Sequence, residues 1–332
     1  MEELLLQTLE HWPTLLLFGV IAVSLFILSK GADILVDEAV SLSVHWGVPK
    51  MVIGATIVSL GTTLPEASVS VMAAINGNPD MALGNAIGSI IADTSLIIGL
   101  AAIMGHLVVD RKTILRQGKV QLGAGLLLAI VCLPFFSAGD GGRVYQWMGF
   151  AFIGLLIAYI YISMKWAKTA TRTPVGFEEE DTAIWIQIIK LILGVVMVIG
   201  SSRILIPSVE IVATRMGIPQ SVIAATLVAF GTSLPELVTA ISAVRKGHGE
   251  LAVGNIIGAD ILNVLFVVGS AAAVTKGGLT VPVHFYHVQI PTMLLALGLF
   301  RYFSRGRKAF IAKREGVVLL AIYAAYLIVN YI

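Results

Sequence analysis

Long apolar stretches separated by short polar segments run along the whole chain. Each stretch has roughly 20 residues or more, enough to cross a hydrocarbon core about 30 Å thick as a helix. Pro, Gly and clusters of polar residues mark where consecutive stretches end. The pattern predicts an all-α membrane protein of about ten transmembrane helices, near residues 14–44, 49–76, 79–105, 117–137, 145–166, 183–214, 219–246, 249–275, 283–303 and 314–331.

An internal repeat organises these helices. Residues 47–100 align without a gap with residues 217–270, at a constant offset of 170, and about 21 of the 54 positions are identical. Five predicted helices separate equivalent positions, and because five is odd, the two copies are expected to cross the membrane in opposite directions. Inverted-topology repeats are typical of transporters, whose substrate binds near the midplane between the repeats. The predicted domains are a first repeat of five helices (1–166), a cytoplasmic linker (167–182) and a second repeat of five helices (183–332).

Positive charge is distributed unequally between the two sides of this arrangement. One set of connections carries 16 Lys and Arg residues, whereas the other set carries only Arg143, Arg215 and Lys276. Because basic loops stay in the cytoplasm, both termini are expected outside, most simply in a plasma or inner membrane. The acidic linker between the repeats is expected to be a solvated cytoplasmic loop.

Composition narrows the class of partners. The residues are 57% hydrophobic and 13% charged, and the mean hydropathy is +0.92. The lipid bilayer is thus the expected surrounding of nearly every helix. A net charge of +2 gives no support for a nucleic-acid partner. Cys132 is the only cysteine, so no disulfide forms within the chain, and no protein partner can be identified from the sequence.

A sequence motif interrupts the second helix of the first repeat and its counterpart in the second. It reads Gly-Thr-Thr-Leu-Pro-Glu at 61–66 and Gly-Thr-Ser-Leu-Pro-Glu at 231–236. Proline removes a backbone donor and clashes with the preceding turn, so each helix should break there. Broken backbone at membrane depth is tolerated where it lines protein or a wet cavity, and its carbonyls are then oxygen ligands for Na⁺ or Ca²⁺. The hydroxyls of Thr62, Thr63, Thr232 and Ser233 add further oxygen ligands.

Each motif ends in a glutamate, Glu66 or Glu236. A carboxylate near the bilayer centre costs about 2.5 to 3.5 kcal/mol on insertion scales, so two equivalent ones require compensation. A bound cation would supply it. The next helix places Ser89 and Asp93 four residues apart on one face, and Asn263 is the equivalent of Asp93.

The remaining polar residues are not counted among the candidate ligands. Asp260 has no acidic equivalent in the first repeat, and it is expected either to support the site from behind or to be a polar group on a helix surface. No His or Cys cluster has the spacing of a transition-metal site. Neither a cofactor nor an enzymatic activity is therefore expected.

With these two motifs, and with the Gly-Asn-Ala-Ile-Gly-Ser and Gly-Asn-Ile-Ile-Gly-Ala segments that follow them, the chain resembles the sodium/calcium exchanger family of the cation/calcium antiporters, in a prokaryotic form without a regulatory domain. The resemblance implies a ten-helix fold and exchange of Na⁺ for Ca²⁺ by alternating access. It also implies a set of ion ligands: Glu66, Thr62, Thr63, Ser89 and the Ser59 carbonyl from the first repeat, Glu236, Thr232, Ser233 and the Ala229 carbonyl from the second, and Asp93 and Asn263 beside them.

Two departures from the family pattern leave the counter-ion open. Ala259 lacks the hydroxyl expected beside a Na⁺ site, and the acid of the Asp93 and Asn263 pair lies in the first repeat. A K⁺-coupled or H⁺-coupled antiporter therefore remains an alternative. Rivals from other classes are a cation channel and an intramembrane enzyme such as a lipid diphosphate phosphatase, which usually needs Arg or His beside its acids. The repeat motifs contain neither.

Overall fold

The computed structural model describes residues 8–105, 107–108, 110–134, 141–169, 183–217, 231–306 and 310–331. These residues are mostly helical, as the apolar pattern predicts. The helices are α1 (Thr14–His45), α2 (Lys50–Thr62), α3 (Leu64–Ile75), α4 (Pro79–Met104), α5 (Arg111–Cys132), α6 (Gln146–Thr169), α7 (Ile184–Arg215), α8 (Leu234–Arg245), α9 (Gly249–Val274), α10 (Gln289–Ser304) and α11 (Lys313–Tyr331).

Within the described residues, seven helices are long and apolar enough to span a membrane, and there are eight if the bent pair α2 and α3 is counted as one span. The span predicted at 219–246 is described only in its second part, as α8, and residues 218–230 lie outside the described residues. Most of the predicted linker at 167–182 also lies outside the described residues. Helix α11 occupies the place of the last predicted span. It has 19 residues and begins with the charged Lys313, Arg314 and Glu315, and it is not among the seven helices counted above.

The second span bends by 45° between α2 and α3, at Thr63. Leu64 begins α3, and Pro65 occupies its first turn, where a missing N–H costs no helical hydrogen bond. Helix α8 begins at Leu234, the equivalent position in the second repeat, again with Pro235 in the first turn. The predicted break is therefore a bend at the first motif, and the second motif begins a helix at the matching residue.

Among the described residues, three π-helical segments interrupt the α-helical geometry near this bend. They cover Gly54–Val58 in α2, Ala92–Ile97 in α4 and Asn263–Val268 in α9. A π turn shifts the hydrogen-bond register by one residue and is frequent at functional sites. In α2 the Ala55 carbonyl, which belongs to the π turn, accepts a hydrogen bond from the hydroxyl of Tyr159 on α6 at 3.1 Å.

Helix α9 lies at the centre of the fold, where it packs against α2, α5 and α8. Close approach to α2 depends on two glycines. A Cβ on Gly54 would lie 2.8 Å from the backbone nitrogen of Asn255, and a Cβ on Gly258 would lie 2.6 Å from the Ala55 carbonyl oxygen. At these positions any side chain would displace backbone, so the two glycines set the distance between α2 and α9.

Helices α1 and α7 pack along each other beside this central group. Leu28 and Ala32 of α1 form a small apolar cluster with Val198 and Leu205 of α7, separate from the main core.

Among the described residues, two short antiparallel strand pairs connect distant loops, and the hydropathy pattern does not predict them. β1 (Leu107–Val108) pairs with β4 (Phe310–Ile311), and β2 (Arg143–Val144) pairs with β3 (Leu279–Thr280).

Candidate functional site

The two motif glutamates occupy equivalent positions in the fold. Glu66 lies in the first turn of α3 and Glu236 in the first turn of α8, and each is only 1% exposed. Partial positive charge at a helix N-terminus favours a carboxylate in this position. The bend at Pro65, together with the start of α8 at Pro235, therefore turns two helix N-termini and two acids into the interior of the protein.

Hydrogen bonds across the repeats surround these acids. The Thr62 hydroxyl donates to Asn255 Oδ1 at 3.4 Å, and the Thr232 hydroxyl donates to Asn85 Oδ1 at 3.2 Å. At the repeat offset of 170, Thr232 is equivalent to Thr62 and Asn255 is equivalent to Asn85. The two hydrogen bonds are therefore equivalent between the repeats. The first threonine of each motif is thus bound to the helix that follows the motif of the other repeat.

Asn85 and Asn255 are polar residues of this cluster that the sequence reasoning did not select. Asn85 Nδ2 also donates to the Glu66 backbone carbonyl at 3.2 Å and to the Ser70 hydroxyl at 3.0 Å. The signal that would have identified both asparagines is an amide within an apolar helix, repeated at the offset of 170.

The remaining predicted residues that the structure describes are also interior. Thr63, Ser233 and Ser89 are buried, as are Asp93 and Asn263. Thr63 donates a long hydrogen bond of 3.5 Å to Glu236 Oε1. Asp93 lies in the π segment of α4, and Asn263 is the first residue of the π segment of α9. The two equivalent positions are thus both placed by a local change of helical register.

Two backbone carbonyls were expected among the ligands. The Ser59 carbonyl accepts a hydrogen bond from the Thr63 N–H at 2.9 Å and a longer one from the Thr62 hydroxyl at 3.4 Å, so this oxygen is bonded on both lone pairs. Ser59 itself is buried. Ala229 lies outside the described residues.

The buried acids form a chain of electrostatic neighbours. Glu66 interacts with both Glu236 and Asp93, and Asp93 interacts with Glu236 and Asp260. Both side-chain oxygens of Glu66 and Asp93, and Oε2 of Glu236, have no hydrogen-bond partner among the described residues. Within the same residues, no three His, Cys, Asp or Glu side chains lie close enough to hold one metal ion. Any cation bound here would therefore have at most two carboxylates, with hydroxyl, amide and carbonyl oxygens completing its ligands.

At one end of the bundle, ion pairs between charged side chains connect separate helices. Lys246, just after α8, lies 2.7 Å from Asp37 Oδ2 on α1, and Lys190 on α7 lies 3.3 Å from Glu38 Oε1. Lys50 Nζ lies 3.2 Å from Nδ1 of His248, the residue before α9. Partial burial and the neighbouring Lys50 ammonium lower the pKa of His248 below its usual range.

Comparison with known proteins finds relatives that match most of the chain. The inner membrane protein YrbG of Escherichia coli is 32% identical over 271 residues, covering 79% of this chain and 81% of its own length. The sodium/calcium exchanger MaX1 of Methanosarcina acetivorans is 29% identical, covering 95% of this chain and 98% of its own. A solved structure of the sodium-calcium exchanger NCX_Mj, soaked with 10 mM Na⁺ and no Ca²⁺, superposes with a TM-score of 0.80 at 26% identity, over 94% of this chain and 98% of that one.

The family model described as sodium/calcium exchanger protein matches residues 16–165 and 186–332, which is almost the whole of both predicted repeats. The resemblance inferred from the two motifs is therefore confirmed. The relatives whose names state a function are exchangers and antiporters, which are transporters. The chain is an integral membrane protein that belongs to the sodium/calcium exchanger family.

Proposed function

We propose that the protein exchanges Na⁺ for Ca²⁺ by alternating access at a midplane site between two inverted repeats of five helices. The observation that carries this proposal is the symmetric burial of Glu66 and Glu236 at two helix N-termini, linked across the repeats by the Thr62–Asn255 and Thr232–Asn85 hydrogen bonds. Ca²⁺ prefers carboxylate, carbonyl and hydroxyl oxygens, which are the groups that meet here.

The same oxygens explain the coupling. Glu66 and Glu236 hold one Ca²⁺ between them, with Thr62, Thr63, Thr232, Ser233, Ser89, Asp93 and Asn263 and the carbonyls of Ser59 and Ala229 available to Ca²⁺ or Na⁺. Because like charges repel strongly when buried together, the carboxylates cannot all remain ionised without a cation. Na⁺ and Ca²⁺ therefore exclude each other from shared ligands, and this exclusion couples their movements.

The helices that would switch access are α1 and α7. Their mutual contact is extensive, and Leu28 and Ala32 of α1 meet Val198 and Leu205 of α7 in a small cluster separate from the main core, which the second half of α1 joins. Two helices packed along each other can slide as one body past the rest of a protein. The ions are the only partners proposed besides lipid.

The distribution of charge assigns the sides of the membrane. The 16 Lys and Arg residues on one side place those loops in the cytoplasm, both termini outside and residues 167–182 in a cytoplasmic linker. A plasma or inner membrane is the proposed location, and an inward Na⁺ gradient there would drive Ca²⁺ out of the cell.

The test is Ca²⁺ uptake by proteoliposomes preloaded with Na⁺, compared with uptake after preloading with K⁺ or with an imposed proton gradient. Glu66→Gln and Glu236→Gln should each reduce uptake by about 100-fold or more, because one Ca²⁺ needs charge from both halves of the site. Asp80→Asn is the matched control, since Asp80 also lies in the first turn of a helix, α4, but is exposed. Retention of most activity by either glutamate variant would contradict the proposed site.

A coupling ion other than Na⁺ is the second candidate. It is favoured by Ala259, which lacks a hydroxyl at the position equivalent to Ser89, and by the placement of the acid at Asp93 rather than at position 263. Uptake that follows only the K⁺ gradient or only the proton gradient would replace Na⁺ in the proposal while leaving the Ca²⁺ site unchanged.

A further inference from the structure

Polar side chains fasten helix α1 to helix α8 at one end of the bundle. Lys246, which follows α8, lies 2.7 Å from both side-chain oxygens of Asp37 and donates a hydrogen bond of 2.9 Å to the Asp33 backbone carbonyl. One turn earlier, the Ser242 hydroxyl of α8 donates to Asp33 Oδ1 at 2.6 Å. Helix α1, which packs along α7, is thus joined by charge to a helix that carries one of the proposed Ca²⁺ ligands.

These contacts fit only one register of the two helices. Asp33 and Asp37 are four residues apart on α1, as are Ser242 and Lys246 at the end of α8, so the two pairs stack one helical turn apart. A shift of α1 by one turn, about 5.4 Å, in either direction would leave a single pair in contact. The complete set of contacts therefore depends on the present position of α1 against α8.

The equivalent positions at the other end of the bundle carry no such pair. Helix α7 is equivalent to α1 at the repeat offset of 170, and α3 is equivalent to α8. In place of the two aspartates α7 has Arg203 and Pro207, and in place of the serine and the lysine the other repeat has Met72 and Asn76. Neither Met72 nor Asn76 is charged. Among the described residues, α1 packs closely against α8, whereas α7 makes little contact with α3.

This difference between the two ends bears on access to the buried glutamates. Glu236 begins α8 and Glu66 begins α3, so each of these helices leads from the proposed site towards one end of the bundle. In the proposed orientation, Lys246 lies at the cytoplasmic end. The contacts of α1 with α8 therefore cover the cytoplasmic route to the site, while the external route between α7 and α3 is less covered.

We propose that Lys246, Asp33, Asp37 and Ser242 form a latch that keeps the cytoplasmic side closed, so that the protein rests with its external side accessible. The latch breaks each time the site opens to the cytoplasm. This inference rests on the alternating access proposed above, and it names the contacts that set the balance between the two access states.

The strength of the latch follows from its exposure. The side chain of Lys246 is 27% exposed and that of Asp37 is 61% exposed, so water screens the ion pair. An exposed pair shifts an equilibrium by up to about fivefold. That is small beside the stability of a whole protein, but it is enough to change the populations of two access states of similar free energy.

A second ion pair at the same end provides a matched control. Lys190 Nζ on α7 lies 3.3 Å from Glu38 Oε1 on α1. This pair joins the two helices that are proposed to move together, so it should remain intact when access switches. Its loss should leave the balance between the access states unchanged.

Val238 is a suitable position for a reporter. It lies on α8 one turn before Ser242, and it packs, partly buried, against the small apolar cluster formed by α1 and α7. Separation of α1 from α8 would expose a thiol at this position to the cytoplasm. The native chain gives the background of the measurement, since its single cysteine, Cys132, is buried.

The test is the rate at which the thiol of Val238→Cys reacts with positively and negatively charged methanethiosulfonate reagents, added to the cytoplasmic face of inside-out membrane vesicles. Lys246→Gln should accelerate both reactions about threefold or more, and Ser242→Ala should accelerate both by a smaller factor. Lys190→Gln should leave both rates unchanged. Exchange of the two charges, in the double variant Asp37→Lys with Lys246→Asp, should restore the slow rates.

Several outcomes would overturn the latch. These are unchanged rates in Lys246→Gln, an equal acceleration in Lys190→Gln, and a charge-exchanged protein that reacts as fast as Lys246→Gln. Acceleration of one reagent together with slowing of the other would also overturn it, because the lost charge would then act only on the reagent. Absence of Ca²⁺ uptake by the native protein would instead contradict the proposed function, whichever thiol rates are measured.

Discussion

Thr232 donates a hydrogen bond to the side-chain oxygen of Asn85 at 3.2 Å, although 147 residues separate them in the chain. The equivalent bond, from Thr62 to Asn255, is 3.4 Å long. Together they hold each broken-helix motif against the next helix of the opposite repeat. The site is therefore assembled from both halves of the sequence, because each motif threonine and the asparagine that it binds come from different repeats.

A double-mutant cycle tests this connection. Thr232→Val and Asn85→Ala should each lower thermal stability in detergent, because a buried amide or hydroxyl loses its partner at a cost of about 1 to 3 kcal/mol. Combined, the two changes should cost less than their sum, with a coupling of about 0.5 kcal/mol or more. Thr62→Val with Asn85→Ala is the control pair, which should be additive because no hydrogen bond joins them. Additivity in both pairs would mean that the Thr232–Asn85 bond contributes little.

Close packing of α2 on α9 gives a second prediction. Gly258→Ala places a methyl group 2.6 Å from the Ala55 carbonyl oxygen, so backbone must shift. Overpacking of this kind costs about 1 to 3 kcal/mol, more than the roughly 1 kcal/mol that Ala gains over Gly in a helix. The melting temperature in detergent should fall, and Ca²⁺ affinity with it, since the same segment carries Ser59.

The control is Gly298→Ala in α10, where a methyl group meets no atom of the described residues within 4 Å. This change should leave the melting temperature unchanged or raise it slightly, because only helix propensity is affected. Equal melting temperatures for the two variants would show that α2 and α9 can separate without loss.

Topology is open to a direct measurement. Lys276 lies in an exposed loop on the side with few basic residues, and Arg305 lies in an exposed loop on the basic side. With a membrane-impermeant maleimide, Lys276→Cys should react on intact cells and Arg305→Cys only after permeabilisation. The native chain is the control, since Cys132 is buried. The reverse labelling pattern would invert the proposed orientation.

His248 gives a pH-dependent prediction. Burial and the Lys50 ammonium lower its pKa in the folded protein, whereas Asp37 acts in the opposite sense and Lys246 in the same sense as Lys50. In the unfolded chain the imidazole titrates near 6.5. The unfolded state therefore binds more protons just below that pH, and His248 contributes stability that is lost as pH falls from about 7 towards the lowered pKa.

The melting temperature of the native protein should accordingly decline more steeply between about pH 7 and pH 5.5 than that of His248→Asn. Asparagine is the matched replacement, because Asn78 at the equivalent position caps α4 by accepting a hydrogen bond from the Met81 N–H. Parallel pH profiles for the two proteins would show that His248 is as easily protonated in the folded state as in the unfolded one.

The sequence by itself determined the membrane class, the positions of most spans, the repeat and the two motif glutamates. These features follow from local or periodic properties: hydropathy over about 20 residues, a constant offset of 170, and the inability of Pro65 and Pro235 to continue a helix. The family followed from the same motifs. All of these signals can be detected without knowing which helices touch.

Only the tertiary structure decided which residues meet across the repeats. Asn85 and Asn255 were not selected from the sequence, and the structure made them partners of Thr232 and Thr62. Asp260 was equally consistent with two roles until α4 and α5 placed Thr94 and Gln121 against it. Hydrogen bonds over such separations depend on the relative placement of whole helices, which side-chain packing at close approaches such as Gly258 sets and which no local pattern encodes.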